Sequence, residues 1–128
     1  MSVTVVDASA IAAVLFNEPE SAPVVASVRE RMLAPTLLKY EIASVCAAKL
    51  AREPARADLI IARYRLLAHL DIEFTEAQWD LLPQLANRWR LSAYDAAYLQ
   101  LALDRNAPLV TLDAGLAAAF DQATGRRK

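Results

Sequence analysis

Cysteine is almost absent: the 128 residues contain one, Cys46. No disulfide can close within the chain and no metal site can rest on thiolates. Cys46, set among Ile42, Ala43, Val45, Ala47 and Ala48, reads as a small buried hydrophobe. Histidine is equally scarce, and the single His69 falls at an expected helix end, as a terminus-stabilising or surface group rather than a catalyst. Long apolar runs are missing as well. No stretch approaches the roughly 18 residues of a membrane span, and Met1 to Asp7 has no basic segment and meets a carboxylate too early for a signal peptide. The expected location is a reducing cytoplasm, with no membrane partner. Low-complexity tracts, internal repeats and a second domain boundary are not found. Nor is there an excess of one charge: 14 Lys and Arg against 15 Asp and Glu give a net −1, which argues against a protein that coats nucleic acid by bulk electrostatics. Yet if four acids were gathered around metal ions, removing their charges from −1 would leave +3 for the rest, so an RNA substrate stays open.

What is present is apolar material. At 56% hydrophobic residues the chain closes one core without staples. We expect a single domain over residues 1–124 and a loose basic tail over residues 125–128.

Val3 to Val6 is a β-branched run ending at Asp7, followed by a helix from Ala10 to Leu15 for which Ser9 stands as the cap. Further helices are expected over Glu20 to Arg31, Leu37 to Arg52, stopped by Glu53-Pro54, and Ala57 to His69. Met32 to Ala34, closed by Pro35, and Asp71 to Phe74 read as strands. Thr75-Glu76-Ala77-Gln78 resembles a capping box that opens a helix to Arg90. Ser92 begins another, running to Arg105 with Asn106 as its stop. Leu109 to Leu112 is a strand ending at Asp113, and Ala114 to Asp121 is the last helix. Strands alternating with helices imply an α/β fold, a parallel sheet with helices on both faces. In such sheets ligands sit beyond the carboxyl ends of the strands, near a switch in strand order. Asp7 and Asp113 lie at two such ends.

Two further acids fall on apolar helix faces. At about 100° per residue, Glu41 shares a face with Leu37, Leu38, Val45 and Ala48, with Arg52 able to reach its rim, and Asp95 one with Leu91, Tyr98, Leu99 and Ala102. A buried, unpaired carboxylate protonates or finds a partner. Two such charges about 4 Å apart repel by roughly 4 kcal/mol at an effective dielectric of 20. No Lys or Arg lies within three or four residues on either face. A divalent cation would neutralise the group, and all-oxygen ligation suits Mg²⁺ or Mn²⁺ rather than zinc. Such an ion activates water and stabilises a leaving oxygen, which points to phosphodiester hydrolysis. The Ser9 and Thr111 hydroxyls are candidates to support a ligand carboxylate or water, Thr111 sharing a strand face with Asp113.

Asp7 in Val5-Val6-Asp7-Ala8-Ser9, Glu41 in Leu38-Lys39-Tyr40-Glu41-Ile42, Asp95 in Ser92-Ala93-Tyr94-Asp95-Ala96-Ala97-Tyr98, and Asp113 in Val110-Thr111-Leu112-Asp113 resemble the four acidic motifs of PIN-domain nucleases. Their order, the elements carrying them and the chain length are similar to the VapC toxin subgroup over essentially the whole sequence. The resemblance implies a PIN-like three-layer α/β/α fold with a parallel sheet of four or five strands. It also implies a Mg²⁺- or Mn²⁺-dependent endoribonuclease, usually a homodimer, whose RNA cleavage is held inactive by a VapB-type antitoxin placed across the active-site groove.

Asp58, Asp71, Asp80, Asp104 and Asp121 read as solvated. Trp79, Leu82, Ala86 and Trp89 recur at helical spacing as a core or dimer-interface stripe rather than an RNA-stacking platform. Arg52, Arg56, Arg63, Arg65, Arg88 and Arg90 are mostly solvated charges, a subset of which could track a phosphate backbone. A receiver domain would want paired acids at the first strand and a lysine after a late strand, where Asp113 stands. A haloacid-dehalogenase-like phosphohydrolase would want aspartate at Ser9. A small-molecule metal-dependent phosphohydrolase, or a PIN-fold binding module without catalysis, remains the alternative.

Overall fold

The computed structural model describes residues 2–28 and 31–125. Four strands, β1 (Val3–Val6), β2 (Arg31–Pro35), β3 (Ile72–Thr75) and β4 (Leu109–Val110), form one parallel sheet in the order β3-β2-β1-β4. Among the described residues seven α-helices flank it: α1 (Ala8–Leu15), α2 (Ser21–Ser27), α3 (Leu37–Arg52), α4 (Ala57–Arg65), α5 (Leu82–Trp89), α6 (Ala93–Arg105) and α7 (Ala114–Thr124). The result is the expected three-layer α/β/α sandwich, with four strands.

β1 is an inner strand, and its side chains suit a sheet covered on both sides. Thr4, Val5 and Val6 are all buried in succession rather than alternately, as a parallel strand between helical layers requires. α6 packs on β1 and β2 with α5 and α7 beside it, while α1 and α3 pack together with α2 and α4 alongside. Every residue of α6 from Ala96 to Leu101 is buried, so this helix is core nearly all round. Leu33, Ile11, Leu38, Ile42 and Phe120 complete one continuous cluster.

Several element boundaries depart from the sequence expectation, each for an identifiable reason. Asp7, not Ser9, caps α1: its carboxylate accepts from the Ala10 amide, and Ser9 lies inside the helix. α2 stops at Ser27, since Val28 is extended and Arg31 is drawn into register with Val3 in the sheet; Arg29 and Glu30, part of the expected helix, lie outside the described residues. Thr75 does not open a capping box. It ends β3 opposite Pro35, and its carbonyl accepts from the Thr36 amide. Strand pairing thus overrides the local signal, and α5 is delayed to Leu82 behind a single 3₁₀ turn at Trp79–Leu81. Trp79 is therefore not on the α5 stripe. It is exposed, while Leu85 and Trp89 pack against the core.

β4 ends at Val110 rather than Leu112, because the amides of Leu112 and Asp113 are taken by side-chain hydroxyls instead of a strand ladder. Thr111 accordingly stands past the strand rather than on its face. α7 runs on to Thr124, and Gly125 (φ +73°) is its left-handed C-cap; residues 126–128 of the expected tail lie outside the described residues. Glu53-Pro54 ends α3 and Asn106 (φ +50°) ends α6 as expected. Cys46 is buried, while His69 and the five acids expected in solvent are exposed.

The strand order places the site. The chain moves from β1 outward through β2 to β3, then returns to the other side of β1 for β4. Between β1 and β4 the connections leave in opposite directions, opening a crevice beyond their carboxyl ends. Asp7 and Asp113 follow these two strands.

Candidate active site

Asp7 is 4% exposed, one of few buried polar side chains in the protein. It is held at both oxygens. Oδ1 accepts from Ser9 Oγ at 2.7 Å and from the Ala10 amide at 3.0 Å, and Oδ2 accepts from Thr111 Oγ1. The two hydroxyls are fixed in turn: Ser9 Oγ accepts from the Leu112 amide at 2.9 Å, and Thr111 Oγ1 from the Asp113 amide at 3.0 Å. Each hydroxyl has one proton and spends it on Asp7, so the start of α1 and the loop after β4 are stitched together through this carboxylate. Burial pushes the Asp7 carboxyl above the usual Asp value. The Thr111, Ala10 and Ser9 bonds oppose that rise without cancelling it, and the nearby Asp113 charge adds to it.

Glu41, one turn into α3, is half-buried and accepts a 2.6 Å hydrogen bond from Tyr98 Oη on α6. Its carboxyl is raised by burial, lowered by the Tyr98 bond, and raised further by the charges of Asp95 and Asp7. Asp95, in the first turn of α6, is also half-buried and raised, by burial and then by Asp113 and Asp7; the Ser92 hydroxyl that caps the helix lowers it. Asp113 is exposed and caps α7, its Oδ1 accepting from the Leu116 amide at 3.1 Å. Three of the four acids thus sit at helix N-termini, whose partial positive charge offsets some of their repulsion.

All four carboxylates line one cavity of about 660 Å³, with Ser9, Ser44, Tyr40, Tyr94 and Tyr98. No Lys or Arg among the described residues lines it. Among the described residues, no ion pair involves any of the four, and Arg52 is exposed away from the cavity it was expected to rim. The expected face of α3 is realised by Leu37 and Val45, which line the cavity, whereas Ala48 is exposed. Glu41 and Asp95 look into the cavity from its walls rather than into a closed core.

By donor chemistry the set fits an oxygen-preferring divalent ion: carboxylates, hydroxyls, uncompensated negative charge, and carboxyls of Asp7, Glu41 and Asp95 raised by burial. By spacing it is more open. As placed, no three His, Cys, Asp or Glu side chains among the described residues stand close enough to share one ion.

Tyr98 was missed as a site residue in the sequence, where it reads as an apolar neighbour of Asp95. Its spacing of three from Asp95 was the available signal; its partner Glu41 lies 57 residues away. Tyr40 and Tyr94, each preceding a cavity acid, were missed as well.

Residues 4–121 match the family model described as PIN domain. Two solved structures share the fold. PAE2754 from Pyrobaculum aerophilum superposes with a TM-score of 0.75 at 20% identity, covering 98% of this chain and 94% of that one. VapC20 of Mycobacterium tuberculosis, described as a sarcin–ricin loop cleaving toxin, superposes with a TM-score of 0.63 at 18% identity, covering 91% of this chain and 94% of that one. No curated protein sequence matches significantly.

Proposed function

Because the chain belongs to the PIN domain family, we propose that it is a Mg²⁺- or Mn²⁺-dependent endoribonuclease, the growth-inhibiting toxin of a VapBC-type pair. The observation that carries this reading is the convergence of Asp7, Glu41, Asp95 and Asp113, from four separate segments of the chain, on one cavity that no basic side chain among the described residues lines. The toxin role is supported by the fold shared with VapC20, a sarcin–ricin loop cleaving toxin.

Asp7, Glu41, Asp95 and Asp113 would hold the ion. When bound, a divalent cation supplies an activated water and charge stabilisation at the phosphorus under attack. The chain's own residues do the positioning. Ser9 and Thr111 clamp Asp7 at both oxygens, so its orientation is set before any ligand arrives. Tyr98 holds Glu41 from the opposite wall. The N-termini of α1, α6 and α7 lean towards the same cavity and favour the negative charge that accumulates on a phosphodiester in the transition state. The partners in this reading are RNA, a VapB-type antitoxin across the groove and a second copy of the chain, in the cytoplasm. No helix among the described residues is long and apolar enough to cross a membrane.

The test is cleavage of RNA by purified protein with Mg²⁺ or Mn²⁺ and with chelator, alongside a folded Asp7→Asn variant. Metal-dependent cleavage that Asp7→Asn abolishes is expected; undiminished cleavage by the variant overturns the site. Expression of the wild type should arrest growth unless a small partner is co-expressed. Harmless expression of an active enzyme removes the toxin role and leaves the nuclease.

A further inference from the structure

Two aromatic side chains at the cavity lie outside the core. Tyr40 is 74% exposed and Tyr94 is 64% exposed, and both line the acid cavity. They stand on different helices, α3 and α6, each one residue before a cavity carboxylate, Glu41 and Asp95. Neither belongs to the core cluster, and neither phenol makes a hydrogen bond among the described residues.

The rest of the lining offers a polynucleotide little to hold. Four carboxylates repel its phosphates, no Lys or Arg among the described residues lines the cavity to offset them, and Ala8, Leu37 and Val45 are apolar. Beyond the ion that these acids would hold, affinity along the lining has to come from a contact indifferent to charge. A nucleobase has such a surface in its π face, and an exposed tyrosine ring is a platform for it. We propose that Tyr40 and Tyr94 are base-stacking platforms that grip unpaired nucleobases adjoining the phosphate presented to the carboxylates. The choice of RNA rests on the nuclease reading above; the choice of these residues rests on their exposure and place. The geometry also sets the form of the ligand. Bases stacked within a duplex have no free face, so the cavity takes loops or single strands whose bases can splay out.

The test is fluorescence anisotropy of a labelled short unpaired RNA, and of a duplex of the same composition, in Mg²⁺ buffer. It uses Asp7→Asn protein so that cleavage does not interfere, with wild-type cleavage measured in parallel. Tyr40→Ala and Tyr94→Ala on that background should each weaken unpaired-RNA binding about tenfold. Tyr→Phe and Tyr→Trp at either position should retain it, Tyr→Leu should behave as Ala does, and duplex binding should be indifferent to all of them. Ala variants that bind as their parent does overturn the proposal. Leu variants that bind as their parent does also overturn it, because the contact is then merely apolar, as for a docked protein segment. Tyrosine-dependent binding without wild-type cleavage sustains this inference and removes the nuclease reading. A parent that binds no RNA overturns the inference, and the cleavage assay alone then decides the enzyme.

Discussion

Replacing Tyr98 with Phe deletes one oxygen from a residue that is 1% exposed and leaves its ring packed in the core. No cavity forms, so the change is confined to the 2.6 Å bond that Tyr98 Oη donates to Glu41. A hydrogen bond to a charged group contributes about 1.5–3 kcal/mol. Glu41 lies on the wall of an open cavity, where water can replace the lost donor, which places the expected loss near the lower end, about 1.5 kcal/mol. For a domain of this size that corresponds to a fall in Tm of roughly 5 °C. The functional effect is separable. A group that orients a metal-binding carboxylate is worth about 10–100-fold in metal affinity or activity. Tyr98→Phe should therefore raise the Mg²⁺ concentration for half-maximal RNA cleavage about tenfold. The same loss of affinity should remove roughly 1.4 kcal/mol of the stabilisation that saturating divalent ion confers in a thermal-shift titration. In a Glu41→Gln background the substitution should lose its effect on ion dependence, because the two residues act through one contact. An unchanged ion dependence in Tyr98→Phe, whatever its Tm, refutes the positioning of Glu41 by this phenol.

Three further outcomes are expected. The raised carboxyls of Asp7, Glu41 and Asp95 bind protons more tightly folded than unfolded. Their contribution to stability is therefore full below the ordinary values of 3.8 for Asp and 4.5 for Glu, and is lost as pH rises through the raised ones. Asp95→Asn should gain stability relative to wild type as pH rises from that range to neutrality in chelator, read by thermal unfolding; a relative loss at neutral pH contradicts the repulsion argument. Thr111→Val removes both the donor to Asp7 and the acceptor for the Asp113 amide. It should cost about 2–3 kcal/mol by urea denaturation, with Thr111→Ser largely retaining stability. Arg90 ends α5 with φ +57°, so Arg90→Gly should add about 0.5–1 kcal/mol and leave cleavage unaltered, as unfolding and activity assays would show.

The sequence by itself determined the elements and their order, the α/β class, and the identity of the four cavity acids. These are legible because they are local. β-branched runs, helical periodicity, prolines and a carboxylate closing a strand act over a few residues, and Glu41 and Asp95 betray themselves by interrupting apolar faces. Where local signals competed with pairing across the chain, the tertiary structure decided. Thr75 was claimed by β3 against a good capping-box pattern, Arg31 by β2 against a continued helix, and the amides of Leu112 and Asp113 by hydroxyls against a longer β4. Tertiary structure alone made Asp7 a cap clamped by Thr111 from 104 residues away, and joined Tyr98 to Glu41 across 57. The physical reason is the same in each case. A hydrogen bond or strand pairing between distant segments exists only once the sheet order β3-β2-β1-β4 has brought them together, and periodicity along the chain carries no record of that distance.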